Sequence, residues 1–367
     1  MNKIRKYLVV VLVLLVLLTG CGKENGNNNS NDGSKLSVVF VVTGQLGDRS
    51  FNDSAHEGIK AMAEKLGVET KVIEIGRDQT VWRPTFEDLA EEGEYDIIIT
   101  NGSNAGELIE EIALEYPEQK FILFDTEMES EIVNLYAISY LQNEASYIAG
   151  VLAALVTKSD MEYANEDNKI GFVGGSEHPI ITDFLVGYVE GAKSVDPNIT
   201  VYVSYIGSWD DTAKGKETAM AQYNQGVDII FPAAEQAGLG CVEAAVEMKK
   251  YIIGVDSDQA MLFKGVNEDS ANVILTSVLK EVGNSLVRAV DLEQKGNLPW
   301  GTFETLGIKE DGVGIARNEY FDKNVPAEIK EEVINAYEQV ANGEVKVTSA
   351  LTDDSKIVEE IIRSVAP

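Results

Sequence analysis

Histidine and cysteine are scarce in this sequence, with two of each among 367 residues. His56 and His178 lie far apart, and no spacing of histidine and cysteine is typical of a zinc site. Two histidines also leave few general bases for catalysis at neutral pH. The Gly-x-Gly-x-x-Gly motif after a strand and the Gly-x-Ser-x-Gly elbow are missing. We therefore expect no enzyme, cofactor or metal, although paired carboxylates such as Asp256 and Asp258 leave a glycosidase open on composition alone.

Basic residues are also few. The sequence has 30 lysines and arginines against 61 aspartates and glutamates, which gives a formal net charge of −31. Nucleic-acid binding depends on lysine and arginine to neutralise phosphates, so we expect no nucleic-acid partner. The same charge disfavours adsorption to anionic lipid. Attachment to a membrane then requires a separate anchor.

The apolar run of residues 7–18 is too short to cross a membrane. It has 12 residues, whereas a spanning helix requires about 20. Lys3, Arg5 and Lys6 precede it, and a basic segment followed by a short apolar run is the pattern of a secretory signal peptide. We predict a signal peptide over residues 1–20.

Cys21 directly follows this signal peptide. Residues 17–21 (LLTGC) resemble the lipobox of bacterial lipoproteins, in which cleavage precedes a cysteine that carries lipid chains. We expect lipidation at Cys21, and the alternative is an ordinary secretory signal with a chance cysteine. Residues 21–34 then form a flexible linker, because Asn, Gly, Ser and charged residues bury no core. Cys241 lies in an apolar helical pattern and is interpreted as a packed thiol.

Strand and helix patterns alternate from residue 36 onward. Residues 36–42 form a near-continuous apolar, β-branched run, which is typical of a strand buried on both faces. The alternation restarts at residues 170–173. Two such βαβ series predict an α/β fold with two Rossmann-like, doubly wound lobes. Helix patterns at 280–293 and 327–340 come late and suggest that the chain recrosses between the lobes.

The recrossing leads to a discontinuous division of the chain. We assign residues 35–142 and 257–298 to the N-terminal lobe. Residues 143–256 and 299–367 are assigned to the C-terminal lobe.

Polar and aromatic residues follow several predicted strands. They occur in residues 43–52, at 125–126, in 207–210 and in 255–258. In open α/β sheets, ligands bind at the carboxyl ends of the strands. These residues are therefore expected to face each other across a cleft between the lobes, which is a common position for a small-molecule site.

The sequence contains seven segments of a recognisable kind, at residues 47–55 (GDRSFNDSA), 150–155 (GVLAAL), 171–175 (GFVGG), 184–192 (FLVGYVEGA), 205–216 (YIGSWDDTAKGK), 254–259 (GVDSDQ) and 276–280 (TSVLK). Together they resemble the basic membrane protein (BMP) family of substrate-binding lipoproteins, which are similar to the purine nucleoside receptor of nucleoside ABC transporters. The resemblance spans roughly residues 36–290. It implies a type I periplasmic binding protein fold, with two lobes joined by a three-segment hinge around a central cleft.

The resemblance also implies a purine nucleoside ligand, and aromatic residues suit its base. A base has two apolar faces, and aromatic pairs add about 0.5–1.5 kcal/mol beyond burial of area. Phe51 and Trp209 are predicted to hold the base between them, with Phe184 as a third candidate. Without the resemblance, Phe51 is interpreted as an apolar residue that packs against the start of the following helix. Trp209 is then interpreted as a packing residue in a loop.

Charged residues suit the ribose. Carboxylates accept hydrogen bonds from vicinal hydroxyls, so Asp125 and Asp256 are predicted to bind them, with Lys280 donating to a ribose oxygen. Asp48 and Asn52 are predicted to contact the base edge. The structural alternatives are a helix N-cap at Asn52 or Asp53, a cap of the following turn at Asp256, and a solvated helix start at Lys280.

Glu235 departs from the family pattern. Relatives often carry a glycine-rich turn after the corresponding strand, whereas this chain has residues 233–238 (AAEQAG). Glu235 adds a charge near the predicted cleft. Its carboxylate either forms a hydrogen bond with a ring nitrogen or an amine of the ligand, or is simply solvated.

The resemblance implies a monomeric receptor that passes its ligand to an ABC permease and its ATPase at the extracytoplasmic face of the cell membrane. The alternatives are a receptor for a simple sugar, a surface or signalling lipoprotein that has lost transport, and a surface hydrolase.

Overall fold

A computed structural model describes residues 35–126 and 131–367 of the protein. The predicted signal peptide, the linker and Cys21 lie outside these residues. Leu36–Pro367 form one compact unit. Within the described part of the chain, no helix has the length and apolar character needed to span a membrane.

The strands and helices alternate for most of the chain. In chain order the strands are β1 (Ser37–Val42), β2 (Glu69–Glu74), β3 (Ile97–Asn101), β4 (Lys120–Phe124), β5 (Leu135–Tyr140), β6 (Lys169–Gly174), β7 (Thr200–Tyr205), β8 (Ile229–Ala233), β9 (Tyr251–Asp256), β10 (Ile274–Lys280), β11 (Thr302–Leu306) and β12 (Val313–Ile315). The helices are α1 (Phe51–Leu66), α2 (Trp82–Glu92), α3 (Gly102–Glu115), α4 (Gln142–Thr157), α5 (Pro179–Val195), α6 (Thr212–Tyr223), α7 (Gly238–Met248), α8 (Gln259–Phe263), α9 (Glu268–Val273), α10 (Val282–Gln294), α11 (Glu319–Asn324), α12 (Ala327–Ala341) and α13 (Ser355–Arg363).

The strands form two six-stranded sheets, and each sheet is the centre of one lobe. The first sheet has the order β11-β5-β4-β3-β1-β2 and is parallel throughout. The second has the order β12-β10-β9-β8-β6-β7, with only β12 antiparallel to its neighbour among the described pairings. Val38–Val42 are completely or almost completely buried, as expected for a strand covered on both faces. The predicted α/β fold with two parallel-sheet lobes is confirmed.

The late crossings between lobes differ from the prediction. We predicted residues 257–298 in the first lobe, but β10 pairs with β9 in the second sheet. Helix α10 does belong with the first lobe, because its Gly283 packs against Gly58 of α1. We predicted residues 299–367 in the second lobe, but β11 pairs with β5 in the first sheet. The chain thus crosses after β5, after β10 and between β11 and β12.

Cys241 is fully buried in α7. Its thiol donates to the carbonyl oxygen of Gly215 at 3.4 Å, and burial raises the pKa of Cys241 to about 12. A thiol with so high a pKa is a poor nucleophile, which agrees with its interpretation as a packing residue.

Candidate functional site

A cleft lies between the carboxyl ends of the strands of the two sheets. It encloses about 500 Å³ of empty space, its open mouth included. The residues that line it are Phe51, Asn101, Ser103, Asn104, Asp125, His178, Ile180, Ile181, Phe184, Trp209, Ala233, Ala234, Glu235, Val255, Asp256 and Lys280. The position agrees with the rule that ligands bind at the carboxyl ends of parallel strands. It brings together six of the predicted residues, namely Phe51, Asp125, Phe184, Trp209, Asp256 and Lys280.

A buried charged group, made up of Asp125, Asp256 and Lys280, lies in one part of the cleft. Lys280 Nζ donates to Asp125 Oδ1 at 2.7 Å and thereby joins the two lobes. Asp256 accepts from Ser50 Oγ at 2.5 Å. Burial raises the pKa of Asp256 to about 6, although Lys280 and the bond from Ser50 lower it. Lys280 is only 2% exposed and is the last residue of β10, so its interpretation as a solvated helix start is wrong.

Aromatic rings surround Lys280. Its Nζ lies 4.8 Å from the ring centroid of Phe184 and 5.6 Å from that of Phe51. The Phe51 ring packs in turn on Phe124, with 5.4 Å between centroids. Phe51 therefore has both the packing contact that we considered as an alternative and a face on the cleft.

Trp209 lies farther along the cleft, beside Arg77. The guanidinium carbon of Arg77 is 5.8 Å from the Trp209 ring centroid. On its other side the indole rests against Gly175, where an added Cβ would lie 2.4 Å from Trp209 Cε3. Gly175 is therefore required for the position of the ring as well as for its turn.

Asp48 and Asn52 are not among the described residues that line the cleft. Asp48 accepts from the backbone N–H groups of Ser50, Asn52 and Asp53 and from Asn52 Nδ2. Its carboxylate therefore closes the N-terminal turn of α1. The structure gives Asp48 a structural position behind the cleft wall, and a direct contact of Asp48 with a ligand base is not supported by this arrangement.

Glu235 lines the cleft and receives two hydrogen bonds from the opposite lobe. Arg77 Nη2 donates to Glu235 Oε2 at 2.5 Å, and Asn52 Nδ2 donates to the same oxygen at 3.1 Å. Burial raises the pKa of Glu235 to about 7, since it outweighs the lowering by Arg77, and Asp48 and Asp256 raise it further. The prediction that Glu235 lies near the cleft is correct, and the solvated alternative is wrong.

Several cleft residues have a left-handed backbone without being glycine. Asp125, Glu235 and Asp256 have φ values of 56°, 46° and 62°. Such conformations cost roughly 1–3 kcal/mol each and persist where the surrounding structure holds them. Three residues that bring charged groups to the cleft therefore have a strained backbone.

Further hydrogen bonds hold the lobes together at the mouth of the cleft. Arg49 Nη1 donates to the carbonyl of Leu262 at 3.0 Å, and Gln259 Nε2 donates to the carbonyl of Arg49 at 3.1 Å. Ser257 Oγ donates to the carbonyl of Ser50 at 3.2 Å. These contacts describe a closed arrangement of the lobes around the cleft.

Sequence reasoning missed Arg77 and the polar residues at the start of α3. Asn101, Ser103 and Asn104 line the cleft just after β3, and Arg77 follows β2. All of them follow a strand that was predicted from the sequence. The available signal was therefore the carboxyl-end rule itself, applied to every strand of the first series.

The buried carboxylates predict how stability depends on pH. Burial raises the pKa of Glu235 to about 7 and those of Asp256 and Asp183 to about 6. A carboxyl whose pKa is raised by folding stabilises the protein below its unfolded pKa, and this contribution is lost as pH rises through the folded pKa. We therefore expect the thermal midpoint of the ligand-free protein to be about 5 °C higher at pH 5.5 than at pH 8.

Circular dichroism melts at constant ionic strength measure this difference. Glu235→Gln should reduce it, whereas Glu243→Gln on the exposed side of α7 should leave it unchanged. A midpoint that is constant or rises toward pH 8 would show that these carboxyls are ionised without penalty.

Comparison with known proteins agrees with the architecture. Residues 35–362 match the Bmp family model, described as "ABC transporter substrate-binding protein PnrA-like". The ABC transporter nucleoside-binding protein BmpA of Lactococcus lactis subsp. cremoris is 31% identical over 93% of this chain and 97% of its own length. Basic membrane protein A of Borreliella burgdorferi is also 31% identical, over 99% of this chain and 100% of its own.

A solved structure supports the same conclusion. The ABC transporter solute-binding protein from Aeropyrum pernix K1 superposes with a TM-score of 0.79 at 25% identity, covering 90% of this chain and 98% of its own. The family match covers nearly the whole described chain. The chain belongs to the Bmp family of PnrA-like ABC transporter substrate-binding proteins.

Proposed function

We propose that this protein is a lipid-anchored extracytoplasmic receptor that captures a purine nucleoside and delivers it to an ABC permease. The observation that carries the proposal is the buried group of Asp125, Asp256 and Lys280 in a cleft with aromatic walls. Lys280 bonds Asp125 and Ser50 bonds Asp256, but an apolar ligand would leave the remaining hydrogen-bonding capacity of these buried charged groups unused, which is expensive. A ligand with both hydroxyls and a flat ring satisfies the charges and the rings together.

The ribose would bind at the charged group. Carboxylates accept hydrogen bonds from hydroxyl groups, and bonds to a charged group contribute about 1.5–3 kcal/mol each. Asp125 and Asp256 supply acceptors from opposite lobes, and Lys280 supplies a donor beside them. Binding would thus tie the lobes together and shift the population toward the closed form, which is the usual mechanism of a two-lobed receptor.

The base would lie among the aromatic rings. Phe51 and Phe184 flank the charged group, and Trp209 extends the aromatic wall toward Arg77. The receptor would carry out no chemistry, and the transporter ATPase would supply the energy for uptake. Lipid on Cys21 and the linker 21–34 would keep the loaded receptor close to the permease. The nucleoside-binding relative from Lactococcus lactis supports this choice of ligand.

Calorimetry with the purified protein tests the proposal. Inosine, guanosine, adenosine, free purine bases and free pentoses are titrated separately, and at least one purine nucleoside is expected to bind more tightly than its base or sugar alone. Binding of a sugar with no heat from any purine nucleoside would contradict the proposal and favour a sugar receptor.

Intrinsic fluorescence gives a second prediction, because Trp209 lines the cleft whereas Trp82 and Trp300 do not appear among its described lining residues. A nucleoside is expected to change the emission of the wild-type protein, and Trp209→Phe should remove most of that change while binding persists. Trp300→Phe serves as the matched control and should preserve it. If the change survives in Trp209→Phe, the base does not lie near this ring.

A further inference from the structure

The sheet order places two polar groups at different points along the cleft. Lys280 ends β10 and Asp256 ends β9, while Glu235 follows β8, the next strand of the second sheet. Neighbouring strands are about 4.8 Å apart, so Glu235 lies roughly two strand spacings from the end of β10. On the facing lobe, Asp125 follows β4 and Arg77 follows the edge strand β2. The charged group and the Glu235–Arg77 pair are thus separated along both sheets.

Glu235 has one oxygen engaged and one that is left for a ligand. Both hydrogen bonds that its side chain accepts from described residues, from Arg77 and Asn52, end on Oε2. The residue also lines the cavity. The salt bridge to Arg77 fixes the carboxylate and favours its ionised form, in which it can only accept hydrogen bonds.

The backbone at Glu235 shows that this placement is costly. Its φ of 46° lies in the left-handed region, which glycine adopts without strain. A turn that is easiest for glycine thus carries a large, charged side chain, and that side chain is directed into the cleft and not into solvent.

We propose that Glu235 determines the base preference of this receptor and selects guanine over adenine. This inference rests on the proposed function, with the ribose at Asp125, Asp256 and Lys280. Guanine presents the ring N1–H and the adjacent 2-amino group as neighbouring donors, which match a carboxylate. Adenine presents a bare ring nitrogen at N1, whose lone pair faces the carboxylate unfavourably. Hypoxanthine retains the N1–H but lacks the 2-amino group, so inosine ranks between guanosine and adenosine.

Competitive calorimetry with guanosine, inosine and adenosine at pH 8 tests the inference. Wild-type protein is expected to bind guanosine about 10- to 100-fold more tightly than adenosine, as one or two charge-assisted hydrogen bonds would give. Glu235→Gln replaces a carboxylate, which only accepts hydrogen bonds, with an amide that has both an acceptor and a donor. The variant should bind guanosine more weakly by a similar factor, so that adenosine binds as tightly as guanosine or more tightly.

Glu235→Gly provides a second variant that relieves the strained backbone, so a folding defect is not expected to mask the result. It should also lose the preference for guanosine. Glu243→Gln, which removes an equal charge from the exposed face of α7, should keep it. Equal affinity of the wild-type protein for guanosine and adenosine would overturn this inference and leave the proposed function standing, as would a preference that survives both Glu235 variants. Absence of binding to every purine nucleoside would overturn both.

Discussion

Lys280→Met is expected to lower the free energy of unfolding by about 3–5 kcal/mol, as is typical when one partner of a buried ion pair is removed. Lys280 is 2% exposed and bonds Asp125 at 2.7 Å. Methionine fills a similar volume, so the variant removes mainly the charge. Asp125 and Asp256 would then share a buried site without a cation.

The same variant is expected to weaken nucleoside binding by about 30-fold or more, since truncating one partner of a buried, hydrogen-bonded charge pair costs about 2–5 kcal/mol in binding. Urea unfolding measures the stability and calorimetry measures the affinity. The stability loss should be smaller at pH 5.5 than at pH 8, because burial raises the pKa of Asp256 to about 6 and its carboxyl can bind a proton at the lower pH.

Lys295→Met is the matched control. Lys295 pairs with Asp291 at the end of α10, but its side chain is 59% exposed, and an exposed pair contributes about 1 kcal/mol or less. A stability loss at Lys280 no larger than at Lys295 would show that the buried pair is well solvated and would contradict the interpretation of the site.

The fold could be predicted because its main signals are local. Each parallel strand appears as a short apolar run, and each run is followed by a helix pattern, so both βαβ series are visible in the sequence. The crossings between lobes are different. Residues 276–280 form a strand of the second sheet, yet their continuation into α10 lies with the first lobe. The assignment depends on contacts between distant strands, which no local pattern records.

The site was predictable to the extent that its residues follow strands. Asp125 directly follows β4, and Asp256 is the last residue of β9. The carboxyl-end rule placed both residues in the cleft. Asp48 is different, because an aspartate four residues before Asn52 serves equally well as a ligand contact or as an acceptor for the first turn of α1, and the structure shows the second arrangement. Only the geometry distinguishes these roles. Arg77 was missed because its partner Glu235 lies 158 residues away.

Part of the family resemblance reflects helix packing. Residues 150–155 and 184–192 belong to α4 and α5, and Phe184 is the residue among them that lines the cleft. A Cβ added at Gly150 would lie 2.0 Å from the carbonyl oxygen of Tyr188, and one at Gly187 would lie 2.1 Å from that of Asn143. Glycine on both helices lets the two backbones approach directly, so the glycines of these segments support the second lobe.

Gly191→Ala tests this packing and is expected to destabilise the protein by about 3 kcal/mol or more, at the upper end of overpacking effects. In an unconstrained helix the change would stabilise by about 1 kcal/mol, because alanine has the higher helix propensity. In α5, however, the added Cβ would lie 1.9 Å from the carbonyl oxygen of Tyr147, and a backbone oxygen cannot move without shifting α4.

Gly238→Ala is the matched control, since a Cβ at this first residue of α7 meets its nearest atom at 3.7 Å, an ordinary contact. Chemical denaturation of both variants measures the difference, which should be negligible or slightly stabilising at Gly238. Because α4 begins at the first crossing between the lobes, a shift of α4 should also weaken ligand binding in Gly191→Ala. If Gly191→Ala is as stable as the wild type, α4 and α5 are not in backbone contact, and the packing of the second lobe must depend on other residues.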